Sequence, residues 1–392
     1  MYRSLYDSNS NDRRTGRNQI NSNSAFIDAS MVYGTNSALA ASLRDPSNPS
    51  KLMVGDGNLL PEGIDGMFLA GDERANEQIG LTAMHTLFVR EHNRLVDKFS
   101  IDNPNIASDD MYQIVRKIIG AKVQVITYKE FLPKLLGPSA IPTYRGYKAR
   151  INPGISNEFA TAAYRFGHSL LSSHILTINM TSSGNITRLI PLRDAFFDNT
   201  LFKDVGIDAI LIGLASQPCQ EMDTKLVDDI RNFLFGPPGA GGMDLGAINI
   251  QRGRDHGLSD YNSIREAYDL THKTAYNQIT NDANLQYTLG TVYGHGCMHN
   301  LDLYVAGLSE THINGGMLGE TFYEICVDQF SRLRDGDRFW YQNDPFFDND
   351  NGSGSSRYNI DISLSDIEDT TLSQVIRDNT DIIDIADDVF TI

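Results

Sequence analysis

One histidine stands in the run TAAYRFGHSLL (161–171), among small, aromatic and aliphatic residues. The simplest interpretation of His168 is a core histidine whose ring nitrogens are satisfied by backbone or water. Arg165 precedes it by three residues, so on a helix the two side chains project from nearly the same face. A neighbouring cation disfavours a charged imidazole, but it suits a neutral ring bound to a metal while the arginine meets an anion. Haem offers both an iron and two propionates, and spacing alone leaves both interpretations open.

Two further polar clusters could carry chemistry. In GDERANEQ (71–78), Arg74 and Glu77 lie three residues apart at a helix entrance. Without other information they are a capping carboxylate and an exposed arginine. In INIQRGRDHG (248–257), Asn249 and Arg252 have the same spacing, and a solvated loop is the plain alternative.

The other histidine pair does not indicate a metalloprotease. His85 and His92 are seven residues apart on one predicted helix, which is not the HExxH spacing of a zinc protease. We expect both to belong to an ordinary helix surface or core.

Bulk properties exclude several classes of function. The chain has 392 residues, 41% hydrophobic content and a net charge of −17, which argues against binding to nucleic acid or to anionic membranes. No apolar stretch approaches the roughly 20 residues of a membrane span. The first twenty residues are polar and are not a signal peptide as they stand.

The elements that would position these residues are mostly helical. Apolar periodicity predicts helices over 77–98, 111–132, 157–173 and 259–269, the last with Ser259 as its N-cap, and a strand-like run over 174–180. We therefore predict a mainly α fold with few short strands. Its long loops, at 46–67, 235–247 and 344–357, are of the kind that carry sites or wrap a bound group.

Taken together, the motifs resemble the animal-type haem peroxidase superfamily, in particular its myeloperoxidase/peroxidasin-like members. The resemblance runs in order over nearly the whole chain. It is carried by QINSNSAFIDASMVYG (19–34), FLAGDERANEQIGLTAMHTLFVREHNRL (68–95), VQVITYKEFLPKLLG (123–137), YRFGHSLL (164–171), LGAINIQRGRDHGLSDYN (245–262) and LRDGDRFWYQN (333–343).

The resemblance implies a proximal haem site. His168 would give a neutral imidazole to the haem iron, and Asn249 would accept the N–H of that ring, which fixes its tautomer and makes the ligand more electron-rich. Arg165 and Arg252 match positions near the haem propionates.

It also implies residues on the opposite, distal face of haem b. Arg74 would stabilise negative charge as the peroxide O–O bond breaks, and Glu77 would be able to form an ester with a haem methyl group. Gln78 replaces a methionine that some relatives link to the haem, so that link should be absent.

The segment SAFIDAS (24–30) resembles the calcium loop of the superfamily. Its ligands would be Ser24, the carbonyl oxygen of Phe26, Asp28 and Ser30, all hard oxygen donors. Only Asp28 among them is charged.

One motif of the superfamily is not found upstream of the calcium loop. That motif, GQxxDHD, supplies the distal general-base histidine, a second ester-forming aspartate and a calcium-binding aspartate. We therefore expect residues 1–392 to form a single haem peroxidase domain that lacks its N-terminal distal segment. An incomplete gene product and a natural remnant are both compatible with this, and we favour the former.

The function implied is oxidation of halide or phenolic donors by hydrogen peroxide, with impaired activity because a general base contributes about 10²–10⁴-fold to rate. A secreted parent protein and a role in the response to oxidative stress are also implied. Two alternatives stay open, namely a haem-free interaction module and, with less support, a haem fatty-acid dioxygenase.

Overall fold

The computed structural model describes residues 3–10, 17–181, 184–295, 298–347 and 355–391. Within them the fold is mainly α, as predicted, with one two-stranded sheet. Part of the predicted loop 344–357 lies outside the described residues. In the described part of the chain, no helix is both long enough and apolar enough to cross a bilayer.

The longest helix, Ile79–Asp102, is central. Gln78 begins it, because its side-chain Oε1 accepts a hydrogen bond from the Gly80 N–H at 2.6 Å. Glu91 lies off the apolar stripe formed by Leu81, Met84, Phe88 and Leu95, a position that would ordinarily leave it exposed. Glu91 is fully buried between Arg94 and Lys122, each within 2.7 Å of its carboxylate. The helix is covered on nearly all sides, and a buried charge of this kind requires such partners.

The second long helix changes its geometry midway. It begins as the α-helix Ser108–Val125, passes through a π-helical turn at Ile126–Phe131 and ends as the α-helix Leu132–Leu136. Its residues before the turn pack into one hydrophobic cluster, and its last residues pack into a second. Tyr128, in the π turn, contacts both clusters.

The run predicted as one helix over 157–173 is two short helices. The α-helix Asn157–Thr161 stops at Ala162, whose backbone angles (φ −134°, ψ −72°) are not helical, and a 3₁₀ helix follows at Ala163–His168. The helix predicted over 259–269 is Tyr261–Ala267, and Asp260 rather than Ser259 is its N-cap, because the Asp260 carboxylate accepts the N–H groups of Asn262 and Ser263.

The strand predicted at 174–180 is His174–Thr181, and it pairs antiparallel with Gly184–Pro191, a strand that was not predicted. This hairpin packs on the helix Ile207–Ser216. The remaining helices are Ser30–Tyr33, Ser37–Ser42, Asn199–Val205, Asp228–Arg231, Leu245–Asp255, Ala283–Tyr293, Leu303–Ser309, Glu320–Asp335, Leu364–Glu368 and Leu372–Asn379. Short 3₁₀ turns lie at Ser8–Ser10, Asp56–Asn58, Glu73–Asn76, Leu192–Asp194, Tyr276–Gln278, Pro345–Phe347 and Ser355–Tyr358.

His92 is a core histidine, as expected. Its Nε2 lies 2.9 Å from the carbonyl oxygen of Ser50, in the long loop 46–67, and its Nδ1 lies 2.8 Å from the Tyr33 hydroxyl. Burial lowers the pKa of His92 to about 4. The ring is therefore neutral, donates from Nε2 and accepts at Nδ1.

The lowered pKa of folded His92 makes the free energy of unfolding depend on pH. The unfolded imidazole takes up its proton near pH 6.5 and the folded one only near pH 4, so stability present above pH 6.5 is lost as pH falls through that window. In urea unfolding at several pH values, His92→Gln should reduce this loss by up to about 1.4 kcal/mol per pH unit.

The matched control is His272→Gln, which changes an exposed histidine and should leave the wild-type pH slope intact. Equal slopes for wild type and His92→Gln would contradict the interpretation.

Candidate haem-binding site

His168 lies at the end of the 3₁₀ helix Ala163–His168. Because a 3₁₀ helix has three residues per turn, Arg165 and His168 lie on the same face, one above the other. Burial, reinforced by the Arg165 charge, lowers the pKa of His168 to about 4, so the imidazole is neutral. Its Nδ1 lies 2.7 Å from Nδ2 of Asn249, and its Nε2 makes no hydrogen bond within the described residues.

Asn249 is the one fully buried residue of the helix Leu245–Asp255. The helix begins at Asp244, whose carboxylate accepts the Ala247 N–H at 3.0 Å. A buried amide on an otherwise half-exposed helix needs a polar partner, and Asn249 has two, His168 and Arg165. Nη1 of Arg165 donates to Oδ1 of Asn249 at 2.8 Å.

The direction of the Asn249–His168 hydrogen bond differs from the expectation. Arg165 can only donate, so it takes the amide oxygen and leaves the Asn249 NH₂ group to face His168. Nδ1 of His168 is then an acceptor, and the neutral ring carries its proton on Nε2. The predicted arrangement, in which Asn249 accepts from Nδ1–H, requires the amide to rotate and Arg165 to find another acceptor.

Two further arginines act electrostatically on Arg165. Burial and the like charges of Arg252 and Arg74 lower the pKa of Arg165, so Arg165 is within electrostatic reach of each of them. Arg252 donates to the Ser4 hydroxyl at 2.8 Å and lies 3.6 Å from the Asp255 carboxylate. Arg74 is exposed. Such a cluster suits an anionic ligand.

Glu77 and Gln78 follow the short turn that carries Arg74. Burial raises the pKa of Glu77, and the Asp72 carboxylate acts in the same direction, while Arg74 opposes them. Gln78 is predicted in the haem-binding set, but its side chain is bonded to the start of its own helix, as described above.

In the predicted calcium loop, polar atoms converge on Asp28. The Ser24 hydroxyl donates to one carboxylate oxygen at 2.8 Å, and the Ser30 N–H donates to the other at 2.9 Å. The Phe26 N–H is bonded to the Ser24 hydroxyl at 3.1 Å. Calcium takes about six to eight oxygen ligands, so these four residues are by themselves an incomplete set. The described residues contain no group of three or more His, Cys, Asp or Glu side chains suited to a metal ion.

Three residues near the site were missed from the sequence. Tyr304 belongs to the helix Leu303–Ser309, which packs against the helices that carry Asn249 and His168, and burial raises the pKa of its phenol to about 12. Burial, with Asp28 next, raises the pKa of Asp337 to about 6. Asp72 is the N-cap of the Arg74 turn. Asp337 stands in the LRDGDRFWYQN motif and could have been suspected, whereas no spacing signal marks Tyr304.

Comparison with known proteins agrees with this architecture. The structure of peroxidase A from Dictyostelium discoideum matches 96% of this chain and 73% of its own, with a TM-score of 0.84 and 34% identity. An Oryza sativa fatty acid alpha-dioxygenase in complex with palmitic acid matches 94% of this chain and 65% of its own with a TM-score of 0.78, but at 22% identity the similarity concerns the fold alone. The class is thus a haem peroxidase-type helical fold.

The family follows from the sequence. Residues 1–390 match the animal haem peroxidase family, and the chain belongs to it. Peroxinectin A of Dictyostelium discoideum is 39% identical over 343 residues, which cover 83% of this chain and 63% of the relative. The chain spans less than two thirds of the length of these curated relatives, from 63% of peroxinectin A to 25% of peroxidasin of Drosophila melanogaster.

The hydrogen-bond direction can be measured in the haem-free protein. At neutral pH, ¹⁵N NMR should place the His168 proton on Nε2, because Asn249 donates to Nδ1. Arg165→Met frees the Asn249 oxygen, so part of the population should move to the Nδ1–H tautomer. The control is Arg254→Met, which removes an exposed arginine that lies on the helix of Asn249 and pairs with Asp302. This variant should leave the tautomer of His168 unchanged. A wild-type proton on Nδ1 would refute the assignment.

Proposed function

We propose that the chain is a haem-dependent peroxidase domain that reduces hydrogen peroxide and oxidises halide or phenolic donors. The observation that carries the proposal is His168, which is a neutral imidazole with one nitrogen held by Asn249 and the other without a hydrogen-bond partner in the described residues. Membership of the animal haem peroxidase family supports the same chemistry.

The residues present fit a haem. Nε2 of His168 is the ligand for the iron, and Arg165 and Arg252 are the partners for the two propionates. When bound, haem supplies an iron that exchanges electrons with peroxide and with the donor. The acidic chain thus keeps three arginines together where an anionic cofactor would need them.

Arg165 and Asn249 act together in preparing His168. A carboxylate that takes the Arg165 guanidinium releases the amide oxygen of Asn249, which can then turn to accept the Nδ1–H of His168. That bond places the ring proton on Nδ1 and leaves Nε2 free to coordinate. Binding of an anion at Arg165 and the availability of Nε2 of His168 for coordination are therefore linked through the Asn249 amide.

Arg74 is the side chain that we expect to act on bound peroxide. Its exposed guanidinium can stabilise negative charge while the O–O bond breaks, an electrostatic role that needs no proton transfer. A separate base must take the peroxide proton, and a positioned base is worth about 10²–10⁴-fold. The residues assigned to the site here do not include such a base, and we expect peroxide reduction by residues 1–392, assayed alone, to be slower by that order.

Haem titration tests the central role of His168. Wild type should develop a Soret band at stoichiometric haem and oxidise guaiacol with peroxide, whereas His168→Ala should fall to the background of free haem. Asn249→Leu should lower haem affinity or activity about 10–100-fold, as for other residues that orient a metal ligand.

His272→Ala is the matched control for these assays, because this exposed histidine lies outside the site. Equal Soret bands and rates for wild type and His168→Ala would remove the peroxidase proposal and favour a haem-free interaction module.

Glu77 provides a separate prediction. Its half-buried carboxyl, whose pKa is raised, suits ester formation with a haem methyl group. After exposure to peroxide, part of the haem in wild type should resist acid–organic extraction, and Glu77→Gln should release all of it, as mass spectrometry of the intact chain will report. Complete extraction from wild type would exclude the ester.

Calcium binding and secretion stay predictions. Ser24, Phe26, Asp28 and Ser30 offer part of a calcium ligand set, and no step of the chemistry depends on it. The dioxygenase alternative is supported only by a shared fold, whereas the Arg74–Glu77 pair and the INIQRGRDHG motif favour a peroxidase.

A further inference from the structure

We propose that a chain of aromatic side chains carries single electrons between the haem site and a distant surface, so that donors unable to enter the site can be oxidised. The inference rests on the proposed peroxidase function. The relay comprises Tyr164, Phe330, Tyr128, Trp340 and Tyr341, with Glu368 at its outer end.

The relay begins four residues before His168. Tyr164 belongs to the same 3₁₀ helix, and its ring lies 5.6 Å from the ring of Phe330, centroid to centroid. Phe330 in turn lies 6.0 Å from Tyr128, in the π-helical turn. Both contacts are edge-to-face and within the 4.5–7 Å range of packed aromatic pairs.

The relay continues through the single tryptophan of the chain. Trp340 is buried, and its ring lies 4.7 Å from the ring of Tyr128 and 4.7 Å from that of Tyr341. Indole and phenol are the side chains most easily oxidised by one electron. Trp340 and Tyr341 are therefore the natural resting places for an oxidising equivalent, whereas Phe330 serves only as a bridge.

Tyr341 has what a stable radical site needs, a proton acceptor. The Glu368 carboxylate lies beside this segment, because its Oε1 accepts a hydrogen bond from Nε2 of the adjacent Gln342 at 3.0 Å. Burial together with this carboxylate raises the pKa of Tyr341, so the resting phenol keeps its proton. When an electron leaves, the proton can pass to Glu368. Glu368 is half-exposed and lies 3.5 Å from Lys129, at the surface.

The other two tyrosines around Trp340 lack such an acceptor. The Tyr128 hydroxyl donates to the carbonyl oxygen of Phe330 at 2.7 Å, and a carbonyl does not take up a proton. The Tyr144 ring lies 6.1 Å from Trp340, but its buried hydroxyl has no hydrogen-bond partner in the described residues, and the Arg334 cation lies 5.5 Å from the ring centroid. The oxidising equivalent should therefore settle at Tyr341.

Reduction of one hydrogen peroxide consumes two electrons. One hydrogen peroxide and two protons accept two electrons from the haem centre and give two waters. Each electron is replaced from Tyr341, whose hydroxyl proton goes to Glu368, and leaves a neutral phenoxyl. A donor at the surface then gives one electron to the phenoxyl, which recovers its proton from Glu368, so two one-electron donors restore the protein.

Tyr341 itself is buried, but exposed side chains surround the outer end of the relay. The exposed Phe339 and Gln342 flank Trp340 and Tyr341 in sequence, and the Phe339 side chain is 62% exposed. The donor class is an aromatic reductant, such as a phenol on a polymer or on another protein, that approaches this face.

The first experiment locates the radical in the haem-loaded protein. Peroxide is added with a nitrone spin trap and without donor, and adducts are mapped by peptide mass spectrometry. We expect adducts on Tyr341 that need both haem and peroxide. Trp340→Phe should abolish them, and Glu368→Gln should shift them to Trp340. Tyr287→Phe, which removes an exposed tyrosine outside the relay, should leave them unchanged.

The second experiment needs no haem, so it separates failure of the relay from failure of the peroxidase proposal. Laser photoionisation at 295 nm, a wavelength that tryptophan absorbs and tyrosine scarcely does, oxidises the single, buried tryptophan of the haem-free protein in place. Absorbance of the indole radical should decay as that of a phenoxyl radical grows, at a rate independent of protein concentration. Tyr341→Phe should abolish this transfer, and Tyr287→Phe should not.

Either of two results would overturn the relay. One is a haem-loaded wild type that consumes peroxide and oxidises guaiacol but carries no adduct on Trp340 or Tyr341. The other is an indole radical that decays equally in wild type and Tyr341→Phe. A protein that takes up no haem contradicts the proposed function, and the photoionisation result then decides the relay alone.

Discussion

The contact between Asn249 and His168 is the interaction on which the site depends. It joins residues 81 positions apart, one on a helix and one at the end of a 3₁₀ helix, and it fixes which ring nitrogen is available. Arg165 belongs to the same unit because it holds the opposite end of the amide. Arg165 and His168 therefore bind the two ends of one amide, and rotation of that amide would exchange the donor and the acceptor that face His168.

The site is cationic within an acidic protein. The chain carries a net charge of −17, yet Arg74, Arg165 and Arg252 lie close enough to depress the pKa of Arg165. Like charges held together cost free energy, and a structure that keeps them is prepared for an anion. The same cluster would attract halide ions and carboxylates from solution while the rest of the surface repels them.

Apolar periodicity predicted the main helices, and the resemblance of the motifs to a known family brought His168 and Asn249 together, because periodicity and motifs are both properties of contiguous sequence. Prediction from periodicity failed where contacts between residues distant in the sequence determine the structure. Glu91 is buried because Lys122, from another helix, meets its charge, and the break at Ala162 divides a run whose periodicity looks continuous. The second strand was not predicted because it is stabilised by pairing with the first.

The direction of the Asn249 amide could not be predicted for the same reason. Sequence places an asparagine and a histidine together, but the donor and acceptor ends are chosen by a third group, the Arg165 guanidinium. Tyr304 and Asp337 likewise acquire their shifted pKa values from burial, which only the assembled fold creates.

The π-helical turn at Ile126–Phe131 has a further consequence. A wider turn holds an extra residue, so the helix emerges from it out of phase with its earlier part. This offset lets one continuous helix serve two hydrophobic clusters and points Tyr128 into the seam between them. Loss of a single residue there would close the turn to regular α geometry and leave Leu132–Leu136 on its present face, whereas loss of a residue elsewhere in the helix would rotate everything after it by about 100°. This turn is therefore the position at which the helix can lose one residue and still keep its packing partners on both sides.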